Sequence, residues 1–333
     1  MSTIKIQQNI PLSRYTTFKI GGEARWFCEV RNENELEEAI KYAKDQKIAA
    51  FIMGGGSNLV VSDKGFDGLV IKIAPNSDGS QPKVKMRMEN RNFFIECWAG
   101  ESFSSIVKLA TDGALSGLEW AAGIPGSLGG AVRGNAGAFG GSISDNIESV
   151  RVLKLSDSQI IINDADPNYK LPINNYENAE CQFSYRDSIF KQKDNLVITS
   201  VVLKLGKGNK NEIEAKIKEI LAKRKEKQPH LASPGSYFEN PIVENNQLIE
   251  KFEHDCNTKC RDSKIPAGWL IDEVGLRGKK MGNIQVSNEH ANFLVNLGGG
   301  KAEEVVMLAS LIKQRARDEL GVELHEEVKY VGF

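Results

Sequence analysis

Residues 120–145 read W-A-A-G-I-P-G-S-L-G-G-A-V-R-G-N-A-G-A-F-G-G-S-I-S-D, and eight of the positions from Gly123 to Gly141 are glycine. Ala, Ser and Asn are frequent among the rest, so the run has little side chain with which to build a core. Glycine tolerates backbone angles that other residues avoid, and it lets the main chain come close to another molecule. Successive N–H groups in such a run can converge on an anion. A shorter run of the same character, Gly54-Gly55-Gly56-Ser57-Asn58, follows the apolar Ala50-Phe51-Ile52-Met53. Two glycine-rich loops, each fed by an apolar segment, suggest one large phosphate-bearing cofactor held along its length. The other reading is a pair of tight turns packed on neighbouring elements. It suits the short run better than the long one, because a turn needs one or two glycines.

The chain has 333 residues, 41% hydrophobic and 26% charged, with net charge -1 and 31 glycines. That length implies about two or three domains of ordinary globular composition. A balanced charge creates no global field for nucleic acid or an anionic membrane, and neither is expected as a partner. Residues 1–10 carry no apolar h-region and no Arg-rich amphipathic stretch, so no signal or transit peptide is expected. No segment approaches the roughly 20 apolar residues of a membrane helix. Five scattered cysteines (Cys28, Cys97, Cys181, Cys256, Cys260) suit a reducing cytosol better than a disulfide framework. Cys256-x-x-x-Cys260 beside His254 lacks a second pair of ligands at zinc spacing, so no metal is expected.

Along the chain, residues 26–30 read as a strand, and Asn32 as a helix N-cap with Glu35 three residues on. Leu36, Ala39, Ile40 and Ala43 follow at helical spacing. Phe51-Ile52-Met53 and residues 69–73 read as strands, so the first seventy or so residues form a small strand–helix–strand unit. Residues 83–99 form a hairpin around Glu89-Asn90-Arg91-Asn92, and residues 102–112 a helix with Phe103, Ile106, Val107 and Ala110 on one face. Strands are expected over 150–155, 160–162 and 196–205. A charged helix over 211–227 leads to a third region with a long helix over 302–320 and a closing strand over 327–331. No G-x-G-x-x-G opens a helix after a strand, and no G-x-x-x-x-G-K-[ST] occurs, which disfavours a Rossmann site and a P-loop.

Taken one at a time, the chemical candidates are ambiguous. Tyr185-Arg186-Asp187-Ser188 offers either a structural ion pair or a fork for a carboxylate or a developing oxyanion. Ser236, after Pro234-Gly235, is a turn-capping serine or an exposed hydroxyl. No G-x-S-x-G elbow is present, which argues against a hydrolase nucleophile. Glu327 is by itself an edge-strand carboxylate, and His290 is most simply a packed or capping histidine.

Read together and in order, the segments resemble the UDP-N-acetylenolpyruvoylglucosamine reductase family. They are Thr16-Thr17-Phe18-Lys19-Ile20-Gly21-Gly22, Gly54-Gly55-Gly56-Ser57-Asn58-Leu59, Ala122-Gly123-Ile124-Pro125-Gly126-Ser127 with Gly134-Asn135-Ala136-Gly137-Ala138, Tyr185-Arg186-Asp187-Ser188, Gly235-Ser236-x-Phe238-x-Asn240-Pro241, Ala267-Gly268-Trp269-Leu270-Ile271-Asp272, and Glu327-Val328. The resemblance spans nearly the whole chain. It implies an α+β fold: a two-subdomain FAD-binding fold of the vanillyl-alcohol oxidase type over residues 1–74 and 75–208. A smaller substrate-binding domain would follow over 209–333, its last strand returning to the active site. The implied activity is NADPH-dependent reduction of the enolpyruvyl group of UDP-N-acetylglucosamine enolpyruvate to UDP-N-acetylmuramate, a peptidoglycan precursor. FAD would be bound non-covalently, in a cytoplasmic and monomeric protein.

The resemblance also implies roles. Arg186 would stabilise the substrate carboxylate and its developing enolate, since charge aimed at the transition state is what accelerates a step. Ser236 would donate the proton, with Glu327 assisting from the other side. Gly54, Gly55, Gly56, Ser57, Asn58, Gly123, Ile124, Pro125, Gly126, Ser127, Gly130, Asn135, Ala136 and Gly137 would hold FAD. Lys227, Asn240 and His290 would contact the sugar nucleotide. The chain departs from the family pattern in three places. Glu239 stands where Lys or Arg is usual, the stretch between Arg186 and Ser236 has no room for the Tyr-bearing loop of some members, and Arg133 replaces an apolar residue. Two rivals remain. One is a flavin oxidase of the same fold, disfavoured because the glycine loops carry no His or Cys to tether a flavin. The other is a non-catalytic sugar-nucleotide binder, supported only by Glu239.

Overall fold

A computed structural model describes residues 4–76, 82–155 and 171–333. Along the chain come β1 (Gln7–Pro11), β2 (Glu23–Val30), α1 (Glu33–Asp45), β3 (Ala50–Met53), β4 (Leu59–Val61), β5 (Phe66–Ile73), β6 (Val84–Glu89), β7 (Asn92–Trp98), α2 (Phe103–Asp112) and β8 (Leu115–Ser116). Then follow α3 (Leu128–Arg133), β9 (Gly137–Ala138), β10 (Gly141–Ser142), β11 (Ile147–Lys154), β12 (Ile173–Glu177), α4 (Ile189–Gln192), β13 (Leu196–Lys207) and α5 (Lys210–Lys227). The remainder gives α6 (Asn246–Cys256), α7 (Ala267–Glu273), β14 (Lys280–Met281), β15 (Ile284–Val286), β16 (Leu294–Asn296), α8 (Ala302–Leu320) and β17 (Lys329–Val331). The strand expected over 160–162 lies outside the described residues.

The chain divides into two compact units. The first comprises Met1–Ile10, Ala24–Gly55 and Asp67–Arg224, the second Pro11–Glu23, Gly56–Phe66 and Lys225–Phe333. In the first unit, β1-β2-β5-β3 form a four-stranded sheet, with β3 and β5 parallel. Asn32 caps α1 by accepting from Glu35 N–H at 3.0 Å, while the Glu35 carboxylate takes the Arg31 N–H at 2.7 Å. Leu36, Ala39, Ile40 and Ala43 bury the inner face of α1 against Val30, Leu69 and Ile71. A second sheet of the same unit runs β12-β11-β13-β7-β6, with β8 also on β13, and its pairings are antiparallel. Asn90 and Arg91, with φ of 49° and 67°, close the β6–β7 hairpin in the twist that two-residue turns favour. The core of this sheet takes in Phe103, Ile106 and Ala110 of α2.

In the second unit, β14-β15-β16 form a three-stranded antiparallel sheet. Its residues Ile284, Val286 and Leu294 share a core with Leu270 and Ile271 of α7 and Val305, Leu308 and Ile312 of α8. Separately, β17 pairs in parallel with β4, Tyr330 opposite Val60. Parallel, antiparallel and helical elements thus mix without the alternation of a doubly wound sheet. No described helix is long and apolar enough to cross a membrane.

Candidate active site

The first unit brings the two glycine runs into contact. Gly55 follows β3, and its N–H donates to Ser127 Oγ at 3.2 Å across 72 residues of sequence. Ser127 Oγ also accepts from Gly130 N–H at 3.3 Å, the N-cap bond of α3. A Cβ on Gly55 would lie 2.5 Å from Gly126 Cα, so only glycine allows the two backbones this approach. Gly123 and Gly126 hold φ of 81° and 111°. The long run is less bare than its composition suggests: α3 buries Leu128, Ala131 and Val132 in the core. Among the described residues, no acceptor takes the N–H groups of Gly126 and Ser127. Donors held out of protein hydrogen bonds in this way are what a phosphate takes. Lys72 on β5, opposite Met53, brings its Nζ to 3.5 Å from the Gly54 carbonyl, and burial lowers its pKa. A lysine interrupting the apolar run Leu69-Val70-Ile71 was the visible signal for it.

Arg186 sits on the same unit at the tip of a tight turn. Ser184 N–H donates to Asp187 O at 3.1 Å, and Asp187 N–H to Ser184 O at 3.2 Å. Within this turn Arg186 has φ of +56°, a left-handed conformation that a glycine would adopt at lower cost. Its Nη2 donates to Gly137 O at 2.8 Å, so the guanidinium lies on the long glycine run. Asn135 fixes the turn from that run, donating from Nδ2 to Ser184 O at 2.7 Å. The Asp187 carboxylate accepts from Ser188 N–H at 2.9 Å and Gln192 Nε2 at 2.8 Å, which locks the turn onto α4. Ser188 Oγ adds a bond to Arg133 O at 2.7 Å, and Arg133 itself pairs with Asp194. Sequence reading passed over Arg224, one of many charges on α5. Its Nε donates to Ala122 O at 2.7 Å, and its guanidinium lies 5.0 Å from the ring of Phe139, itself at φ +51°. Nothing in the spacing of α5 sets this arginine apart.

In the second unit, Gly56, Ser57 and Asn58 continue the short run, and again no acceptor among the described residues takes their N–H groups. Thr17 N–H donates to Gly56 O at 3.1 Å and Thr17 Oγ1 to Ser233 O at 2.8 Å. Thr17 therefore ties the glycine loop, through its N–H, to the segment leading into Ser236, through its hydroxyl. Asn58 donates from Nδ2 to the Glu327 carbonyl at 2.9 Å, and Lys329 N–H donates to Asn58 O at 3.0 Å. Ser236 follows Gly235, whose φ is +87°, and pairs with Phe293 in an isolated bridge. Next to it, Tyr237 is fully buried and shares a 2.6 Å hydrogen bond between its hydroxyl and that of Tyr330. Burial foremost pushes the Tyr237 pKa up. Glu327 N–H donates to Tyr237 O at 2.8 Å, so Ser236 and Glu327 stand on adjoining extended segments.

The three expected substrate residues of this unit are placed differently. Asn240 accepts from Ala267 N–H at 3.0 Å and so starts α7. His290 is half-buried, its Nδ1 facing Asn292 N–H at 3.2 Å. Burial first, then Arg277, lowers its pKa, so the ring is held as the neutral acceptor that this bond requires. Lys227 is exposed at the end of α5. Glu239 is half-buried and donates its N–H to His325 O at 2.9 Å. Among the described residues, no group of three or more His, Cys, Asp or Glu is arranged to hold a metal. The buried thiols Cys28, Cys97 and Cys181 are pushed up to about 12, which leaves them un-ionised and unreactive at neutral pH.

Residues 24–162 match the family profile of an FAD binding domain, and residues 227–331 that of the UDP-N-acetylenolpyruvoylglucosamine reductase C-terminal domain. The UDP-N-acetylenolpyruvoylglucosamine reductase of Solibacter usitatus (strain Ellin6076) is 35% identical over 99% of this chain and 97% of its own length. The enzyme of the same name from Prochlorococcus marinus (strain NATL2A) is 34% identical over the full length of both. The crystal structure of UDP-N-acetylenolpyruvylglucosamine reductase from Thermus caldophilus superposes with a TM-score of 0.71 at 30% identity, over 98% of this chain and 99% of that one.

Proposed function

The chain belongs to the UDP-N-acetylenolpyruvoylglucosamine reductase family, and from that premise we propose which of its residues carry the reaction. It is an FAD-dependent oxidoreductase that reduces the enolpyruvyl group of UDP-N-acetylglucosamine enolpyruvate to UDP-N-acetylmuramate, a step of peptidoglycan precursor synthesis. The glycine runs fit such a cofactor. Main-chain N–H groups at Gly126 and Ser127, and at Gly56, Ser57 and Asn58, are donors of the kind a dinucleotide's diphosphate accepts. The remaining loop residues, Gly54, Gly55, Gly123, Ile124, Pro125, Gly130, Asn135, Ala136 and Gly137, complete the proposed cradle. Bound there, FAD would supply hydride, drawn from NADPH, for the enolpyruvyl double bond.

The protein's part is position and field. Arg186 holds the substrate carboxylate and opposes the negative charge that grows there as the double bond is reduced. The Ser236 hydroxyl delivers a proton to the carbon beside that carboxylate, and Glu327 orients the substrate from the neighbouring segment. Lys227, Asn240 and His290 serve the sugar nucleotide. The partition into residues 1–74, 75–208 and 209–333, a monomeric state and a cytoplasmic location belong to the same reading. Its main support is the bond from Glu327 N–H to Tyr237 O, which sets a hydroxyl and a carboxylate on adjoining backbones. A Ser236→Ala variant tests it. Flavin reduction by NADPH should stay within about twofold of the parent, while reoxidation by the enolpyruvyl sugar nucleotide should slow by about 100-fold or more. Equal losses in both half-reactions would remove Ser236 as the proton donor.

A further inference from the structure

The segment from Ser236 to Glu239 lies between two partners of the second unit. On one side, Glu239 N–H donates to His325 O at 2.9 Å and Tyr237 O accepts from Glu327 N–H at 2.8 Å. On the other side Ser236 is bridged to Phe293, and beyond that bridge the neighbouring Asn292 supplies the partners. Asn292 accepts from Tyr237 N–H through its backbone carbonyl at 2.8 Å. Its side chain then accepts from Phe238 N–H through Oδ1 at 2.9 Å and donates from Nδ2 to Phe238 O at 2.8 Å. The carboxamide thus reproduces the donor–acceptor pair of a peptide group, opposite one residue of the segment. It does so where water cannot help: Asn292 is 3% exposed and Phe238 1%. A buried polar group that loses its partner there is left with the full cost of its desolvation. Asn292 is in turn held by its own N–H on His290 Nδ1, and the turn before it by Ser287 Oγ, which accepts from the N–H groups of Glu289 and His290.

We propose that Asn292 is a positioning residue for the reduction. Its side chain fixes the Tyr237-Phe238 backbone, and that backbone carries Ser236 at one end and, through Tyr237 O, the N–H of Glu327. The inference rests on the reading of Ser236 as proton donor. It gives His290 a supporting role toward Asn292 through Nδ1, in keeping with the packed or capping histidine that the residues alone suggest. Aspartate at 292 has the same shape but cannot donate to Phe238 O, and it sets a carboxylate against that carbonyl. Serine keeps at most one of the two side-chain bonds and provides a variant that introduces no charge.

The experiment measures both half-reactions of the FAD-loaded enzyme for Asn292→Asp, Asn292→Ser, Ser236→Ala and the Ser236→Ala/Asn292→Asp double variant. It adds amide hydrogen exchange on residues 235–239. Both Asn292 variants should slow flavin reoxidation by about tenfold or more, a scale that sub-ångström to 1 Å misplacement produces. The effect should fall on kcat with KM within about twofold, and flavin reduction by NADPH should be unchanged. Residues 235–239 should exchange faster while α8 keeps its protection. If Asn292 acts through Ser236, the double variant should be no slower than Ser236→Ala alone. Additive losses, or variants that lose thermal stability with reoxidation at the parental rate, would overturn the inference. Ser236→Ala reoxidised at the parental rate would instead overturn the proton-donor reading beneath it, and the inference with it.

Discussion

Arg186 occupies a backbone conformation that favours glycine, with φ of +56° in a four-residue turn. Strain of about 1–3 kcal/mol is typical of such positions, and it persists only where the surroundings over-determine it. Here three bonds do so: Nη2 to Gly137 O, Lys191 Nζ to the Arg186 carbonyl, and Asn135 Nδ2 to Ser184 O. The turn therefore aims a side chain at a cost in stability, and the two can be separated. Arg186→Gly relieves the strain and Arg186→Ala keeps it. Glycine at 186 should accordingly be more stable than alanine by about 1 kcal/mol in chemical denaturation, although both variants lose turnover of the enolpyruvyl substrate. Alanine as the more stable variant would show that the left-handed turn stores nothing. At this scale the sequence was informative only through its motifs. Tyr-Arg-Asp-Ser marked Arg186 by resemblance, yet nothing in it announced a left-handed arginine. The side chains of Arg186 and Asn292 are directed by backbones distant in the chain, which no local spacing encodes.

Among the elements, α1 and β5 were legible because their patterns are strong: an Asn cap with helical spacing behind it, and an apolar run. The helix α3 was not, because its six residues include two glycines and it is stabilised from outside. Leu128 N–H donates to Glu101 O at 2.9 Å and Gly129 N–H to Ala99 O at 2.8 Å, while Ser127 caps its start. Helices α6 and α7 were passed over as well. The first starts on the Asn245 cap and buries only Leu248 and Phe252, and the second has seven residues and starts on Asn240. Ser127 joins elements, since its hydroxyl takes both the Gly130 N–H that begins α3 and the Gly55 N–H of the other glycine run. Ser127→Ala should destabilise the protein by about 1–2 kcal/mol. It should also weaken FAD retention, read as flavin fluorescence released on dilution or gel filtration. Unaltered retention in a destabilised variant would confine Ser127 to the role of a cap.

For the whole molecule, the decisive feature is that the second unit is built from three separate lengths of chain, Pro11–Glu23, Gly56–Phe66 and Lys225–Phe333. The first two are held to the third by contacts of backbone and short strands. β4 pairs with β17, Asn296 Nδ2 donates to Phe18 O at 3.1 Å, and Thr17 Oγ1 reaches Ser233 O. Removing residues 329–333 should strip Val60 and Val61 of their strand partner and leave the buried Tyr237 hydroxyl without Tyr330. A loss of about 3 kcal/mol or more follows from those terms together. Limited proteolysis should then cut the second unit first, while the sheet around β13 stays protected. An unchanged midpoint with uniform protection would mean that β17 contributes little. Three-residue strands such as Leu59–Val61 and Lys329–Val331 carry no periodic signature, so their partnership was not readable from the residues.

Asn58 and Glu327, joined by a hydrogen bond, lie 269 residues apart. A ribosome reading from the amino end delivers β4 long before β17. In that interval Val60 lacks its β17 partner, and the loop of Gly56, Ser57 and Asn58 lacks its tie to Glu327. Completion of this unit is deferred until β17 is made, and any capture of flavin that depends on that loop is deferred with it.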